Sequence, residues 1–180
     1  MPASHELMSE LRAAADVLSS PDGLLRYRQL VAEALHKRFQ CSMASLWVLK
    51  DGAQGCYLLC VAAFSEDPAL SAAGVELHEA DFQAYFDALI NAKVYSSPNA
   101  QEDPHLISLR DNYLVPQGVQ ALLDVAFQIN GQPLGVLCIE QRDTPRIWSK
   151  IDEVDLRTAA SVIGISIARY RNAEQHSSVA

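Results

Sequence analysis

The chain has 180 residues, 49% of them hydrophobic and 20% charged, with a formal net charge of −8. That length and apolar content suit one well-buried domain with helical extensions and exclude wholesale disorder. The negative field repels polyanions, no basic patch offsets it, and no segment approaches the roughly 18 apolar residues of a membrane span. Neither nucleic acid nor a membrane is therefore expected as a partner.

Leu7, Leu11, Ala14 and Leu18 recur at spacings of four, three and four, which predicts an amphipathic helix or linker over residues 1–20. Pro21 disfavours helical geometry at Ser20, so a second helix is expected to start there, with Ser20 as cap and Pro21 in its first turn. Its apolar stripe runs through Leu24, Tyr27, Val31, Ala34 and Leu35, and His36-Lys37-Arg38 suits the cation-attracting end of its dipole. Residues 44–49 and 57–64 are rich in strand formers around Asp51-Gly52 and Gly55, and predict a hairpin with a longer loop. Alternation puts Ser45, Trp47 and Leu49 on one face, where Trp47 either packs the core or walls a pocket.

A short strand near 75–78 leads to Asp81, read as the cap of a helix over 82–91 with the stripe Phe82, Tyr85, Phe86, Leu89 and Ile90; another short strand follows at 93–96. Residues 97–118 hold Pro98, Pro104 and Pro116 and two helical fragments, 105–110 and 111–114. Long irregular crossings of this kind lie over binding sites or simply seal a sheet. Asn130-Gly131 between two apolar runs is the strongest short-range hairpin signal in the chain. Counting back from that turn pairs Ile129 with Gln132, Val125 with Val136, Leu123 with Cys138 and Ala121 with Glu140. Both faces of this hairpin are then mostly apolar, so both are expected to be covered. Asp124 is the exception, read as a buried carboxyl that either caps a backbone amide or meets a ligand.

Arg146 can reach back to Glu140 across residues 141–145, and the pair is read as a structural clasp covered by Trp148. The last helix starts near Ser149 with Leu156, Ala160, Ile163, Ile167 and Tyr170 in a 3.5-residue repeat, compatible with a coiled coil or with packing on a sheet. The segment 173–180 is read as a disordered tail. The order of elements predicts an α+β fold, a central antiparallel sheet with helices on both faces.

The chemistry-bearing residues are sparse. Trp47, Tyr95, His105, Arg110, Tyr113 and Asp124 are the ligand-pocket candidates, with apolar walls supplying most of the contact. Cys41, Cys56, Cys60 and Cys138 show neither a Cys-x-x-Cys pair nor zinc-type histidine spacing, and read as reduced, buried thiols. With no basic n-region and apolar core at the N-terminus, a cytoplasmic location is expected. No metal site, phosphate loop or nucleophile elbow is present, so no catalytic residue is nominated.

Asp81-Phe82-x-x-Tyr85-Phe86, Asp103-Pro104, Tyr113-Leu114-x-Pro116-x-Gly118, Leu123-Asp124, Gly135-Val136-Leu137-Cys138-x-Glu140, Arg146-x-Trp148 and Glu153 occur in an order and spacing that resemble the GAF family. The likeness is to the sensor modules that accompany bacterial histidine kinases and diguanylate cyclases. It covers residues 21–172 and implies five or six antiparallel strands, a ligand cavity under irregular segments, and terminal helices that relay a signal in a homodimer. Ala126, Gln83 and Ala121 depart from the residues common at their positions. The Asn-Lys-Phe-Asp-Glu signature of cyclic-nucleotide modules is absent, as is a match to a bilin-attachment cysteine, and no cofactor is assigned. The expectation is a non-catalytic sensor for a small molecule or protein partner. Two alternatives stand beside it: a thiol enzyme of the kind that reduces free methionine sulfoxide, and a degenerate module that only dimerises.

Overall fold

Asn130 and Gly131 take left-handed backbone angles, φ 52° and 80°, as a two-residue loop between twisted strands demands. They join β5 (Val119–Ile129) to β6 (Gln132–Arg142). In the computed structural model, which describes residues 2–53 and 55–177, this hairpin lies within a six-stranded antiparallel sheet. Added to it are β1 (Met43–Gly52), β2 (Gly55–Phe64), β3 (Glu76–His78) and β4 (Val94–Ser97). The spatial order is β3-β2-β1-β6-β5-β4.

The register differs from a straight count back from the turn. Ile129 does face Gln132, but a bulge beside Gln128 brings Phe127 opposite Gly135, Asp124 opposite Cys138 and Leu122 opposite Glu140. One extra residue in β6 exchanges the faces of every side chain beyond it. Val136, Cys138 and Glu140 therefore lie on the face of Leu122 and Asp124, while Leu137 and Ile139 join Leu123, Val125 and Phe127. Two residues account for the bulge. Pro133 has no N–H to give a ladder, and a Cβ on Gly135 would stand 2.0 Å from the Trp47 carbonyl oxygen and 2.7 Å from the Phe127 ring.

The helical layer holds α1 (Pro2–Ala14), a 3₁₀ turn (Ala15–Ser19), α2 (Gly23–Phe39) and α5 (Lys150–Ser177). Leu7 and Leu11, then Tyr27, Val31, Leu35 and Phe39, then Leu156, Ala160, Ile163 and Ile167 are buried against Ala44, Leu46, Leu123, Val125, Leu137 and Ile139. The 3.5-residue stripe of α5 is thus spent on the chain's own sheet. Ser20 does not cap α2. Its hydroxyl donates to the Val17 carbonyl at 2.6 Å and closes the preceding turn, and Asp22 precedes α2 with φ 57°. The basic run at the end of α2 forms cross-helix ties: Lys37 pairs with Glu6 and Glu10 of α1, and Arg38 with Asp152 and Asp155 of α5. The last helix passes through Asn172 to Ser177, so residues 173–177 are helical rather than tail; residues 178–180 lie outside the described residues.

The opposite face is covered by α3 (Gln83–Ala92), 3₁₀ turns at Ala100–Glu102 and Pro104–Leu106, α4 (Ile107–Leu109) and a π-type turn at Arg110–Leu114. Phe82, not Asp81, stands at the head of α3, and no side chain caps it. This flap buries Tyr85, Phe86, Leu89, Leu106, Leu109, Tyr113 and Leu114 against Trp47, Leu58, Cys60, Leu122, Val136 and Cys138.

If the Gly135 contact sets the bulge, Gly135→Ala forces apart two strands that have no room to part. A loss at the upper end of the overpacking range, about 3 kcal/mol, is expected in urea unfolding.

Candidate functional site

Alternation along β5 and β6 leaves a polar centre in the flap-side layer. Asp124 and Glu140 are 1% and 2% exposed, and they sit diagonally across the strand pair, with Cys138 opposite the first and two residues before the second. Each is reached by one flap tyrosine. Tyr85 of α3 donates its hydroxyl to Asp124 Oδ2 at 2.6 Å, and Tyr113 of the π-type turn donates to Glu140 Oε1 at 3.0 Å. The Cys138 thiol stands beside both carboxyls with one weak proton to offer, 3.6 Å from Glu140 Oε1.

The remaining oxygens, Asp124 Oδ1 and Glu140 Oε2, are buried with no hydrogen-bond partner at normal geometry. A buried acceptor left in this state costs roughly 1–3 kcal/mol, so the pair calls for an explanation. Burial pushes Asp124 up to about 6, against the pull of hydrogen bonds from Cys138 and Tyr85. Burial and then repulsion from Asp124 push Glu140 up to about 7, against hydrogen bonds from Tyr113 and Cys138. Both carboxyls therefore favour their protonated form more than a solvated carboxyl does.

Of the sequence-derived candidates, the fold gathers four. Trp47 of β1 lies edge-on to Tyr113 with ring centres 6.5 Å apart, its Nε1 donating to Ser45 Oγ at 2.8 Å. Tyr95 pairs with Asp124 across β4 and β5 and sets its ring edge-on to Tyr85 at 5.9 Å. Tyr113 and Asp124 are in the centre itself. His105 is exposed at the rim, with its ring edge-on to Tyr95 at 6.3 Å and its backbone N–H donating to Asp103 Oδ1, while the Arg110 side chain is 53% exposed, 3.9 Å from Asp111. Asp124 accepts from a tyrosine rather than capping a backbone amide.

The clasp is corrected in one partner. Arg146 donates to the carbonyls of Phe39 at 2.8 Å and Gln40 at 3.0 Å, and to Gln141 Oε1, and its guanidinium stacks on Trp148 at 4.1 Å. Glu140 takes no part, because the bulge has turned it into the opposite layer. Sequence reasoning missed Tyr85 and Cys138, and missed Glu140 as a site residue. A hydroxyl within the otherwise apolar α3 stripe was the available signal for Tyr85.

One same-face step from the Asp124 and Cys138 row, Ala126 and Val136 open an apolar crevice of about 20 Å³, walled by Leu49, Leu58, Phe86, Leu89 and Pro133. That is room on the scale of a water molecule, so anything larger enters only as the flap moves. Among the described residues no group of three or more His, Cys, Asp or Glu side chains could hold a metal ion, and no helix is long and apolar enough to cross a membrane.

A six-stranded antiparallel sheet with helices on one face and an irregular flap over a polar centre on the other defines an α+β domain covered on both sides. The GAF domain model matches residues 25–167, and the chain belongs to the GAF family. No curated protein sequence matches it significantly. Among solved structures, the blue-light-absorbing PixJ GAF domain of Thermosynechococcus elongatus is 19% identical, with TM-score 0.70, over 95% of this chain and 94% of that one. A phycocyanobilin-bound GAF domain from a cyanobacterial phytochrome is 14% identical, with TM-score 0.76, over 94% and 96%. The GAF domain of an Acinetobacter phosphoenolpyruvate-protein phosphotransferase is 17% identical, with TM-score 0.69, over 91% and 93%. At these identities the likeness is one of fold.

Both central carboxyls hold protons more tightly folded than unfolded, so their stabilising contribution is full below about pH 4 and is lost as pH rises through about 6 and 7. Asp124→Asn and Glu140→Gln are expected to flatten that decline, each by up to roughly 3 kcal/mol between those limits. Paired urea titrations of wild type and variant across this range measure it.

Proposed function

We propose that the chain is a non-catalytic sensory domain, in which a small molecule lifts the flap from the Asp124 and Glu140 centre and the change reaches the terminal helices of a homodimer. The observation that carries this reading is the pair of buried carboxyl oxygens left without partners beneath the flap. A ligand that satisfies them gains what the closed state forgoes, and so distinguishes closed from open, as any population shift requires. Bilin-bound members of the same fold supply a precedent for a guest in such a domain.

The route to the helices is one strand thick. Leu123 and Val125 flank Asp124 along β5 and lie in the layer that packs on α5. The stripes of α1 and α5 expected to pair between subunits are consumed in that layer. A second α5 stripe is exposed: Ile151, Val154, Thr158, Ser161 and Ile165, at spacings of three, four, three and four, with Ile151 63%, Val154 51% and Ile165 55% exposed. Helices paired along such a seam bury it between two copies.

The thiol-enzyme alternative requires a stabilised thiolate. Burial instead pushes the thiols of Cys41 and Cys60 up to about 12 and that of Cys56 up to about 11, and raises Cys138 as well. Free thiols throughout fit a reducing compartment such as the cytoplasm.

Sedimentation equilibrium at about 50 µM is expected to give the dimer mass, and Val154→Glu with Ile165→Glu to give a monomer of unchanged melting temperature. A wild-type monomer at that concentration rejects the dimer relay. Native mass spectrometry of protein purified from its own host is expected to show a retained small molecule.

A further inference from the structure

The chain's own cations stay away from the centre. Arg142 exerts a weak pull on Glu140, but its guanidinium donates to the Gln117 carbonyl at the rim, and no described Lys or Arg forms an ion pair with Asp124 or Glu140. Two carboxyls thus share one buried face with donors enough for half their oxygens. Ionised carboxylates accept hydrogen bonds and give none, so what completes this centre is a set of N–H or O–H donors, preferably carrying positive charge.

The layout also limits the size and polarity of the guest. Ala126 and Val136, which begin the apolar crevice, are two residues along their strands from Asp124 and Cys138, a step of roughly 7 Å. Tyr85 stands on α3 between these regions, with its hydroxyl on Asp124 and its ring edge-on to Phe86 of the crevice wall at 5.9 Å. Moving α3 outward therefore uncovers the carboxyl and widens the crevice together. Among the described residues no group of three His, Cys, Asp or Glu, this centre included, is arranged to hold a metal ion.

Resting on the reading that the space under the flap receives a ligand, we infer that Asp124 and Glu140 form the polar end of a site for a small organic cation. The guest bears at least two N–H donors, as amidinium, guanidinium and primary ammonium compounds do, and its compact apolar part occupies the crevice of Leu49, Leu58, Phe86, Leu89 and Val136. Planar forked donors match the arrangement best, because they can present N–H groups to two carboxyls at once. Such a cation binds the ionised carboxyls, so association releases protons in the range where the two titrate, and affinity rises with pH.

Isothermal titration calorimetry of the full chain with benzamidine tests this, with benzamide and benzoate as neutral and anionic probes of the same shape. Benzamidine is expected to bind at least about tenfold more tightly at about pH 8 than at about pH 5, and to release protons on binding in buffers of different ionisation enthalpy. Asp124→Asn and Glu140→Gln should each weaken it about tenfold and together abolish it, without lowering the melting temperature. Binding that ignores pH, survives the double substitution or is matched by benzoate or benzamide overturns the assignment, as does no benzamidine binding up to about 10 mM. A host ligand without a basic nitrogen, retained in native mass spectrometry, overturns the cation assignment and leaves the sensory reading standing. A chain that neither retains a host ligand nor binds any of the three probes overturns both.

Discussion

The bulge in the central hairpin decides the chemistry of this domain. With a straight ladder, Glu140 and Cys138 would lie in the helical layer with Arg146 and Trp148 near at hand, and Asp124 would be an isolated buried carboxyl. The one-residue offset created where Gln128 meets Pro133 places Asp124, Cys138 and Glu140 on one face. The close approach of Gly135 to Trp47 and Phe127 keeps that offset in place. Packing at one end of the hairpin thus selects which side of the sheet becomes polar, some way from the polar groups themselves.

The flap is secured over that face by unequal means. Its leucines and phenylalanine bury area without direction, whereas the Tyr85 and Tyr113 hydroxyls find single acceptors in the centre. Both hydroxyls can donate whether or not the carboxyls carry their proton, since either form retains an acceptor oxygen. The flap is therefore held across the pH range in which the centre changes charge. The partnerless second oxygens are a local departure from full hydrogen-bond satisfaction, of the kind natural chains concentrate where they work.

Much of this was legible in the sequence. The Asn130-Gly131 turn, the alternation of β1, β2, β5 and β6 and the periodic stripes of α1, α2 and α5 are local signals, and they led to the α+β sheet and its two covered faces. The family resemblance supplied the count of strands. What sequence did not reveal was register beyond the first pairs of the hairpin, since a bulge is fixed by contacts between β6, β1 and Phe127 that no local pattern encodes. That single slip accounts for the misassigned partner of Arg146 and for the missed role of Glu140. Ser20 is a similar case: its residue type suits a helix start, but the tight turn into α2 left its hydroxyl closer to the carbonyl of Val17. Nothing periodic in the irregular segment 97–118 says which way a side chain faces, and there His105 comes to meet only the edge of Tyr95 while Arg110 turns outward.

Arg146 and Trp148 give the last helix a fixed footing. The guanidinium grips the final carbonyls of α2 and lies on the indole just ahead of α5, so the start of α5 is tied to the helix beside it. From that footing α5 runs 28 residues, about 42 Å, and its residues 171–174 are exposed. A tilt of only ~5° about the tethered end carries the far end by nearly 4 Å. A helix of this length has the geometry of a lever, in which a displacement smaller than an ångström near the tethered end corresponds to several ångströms at the last turns.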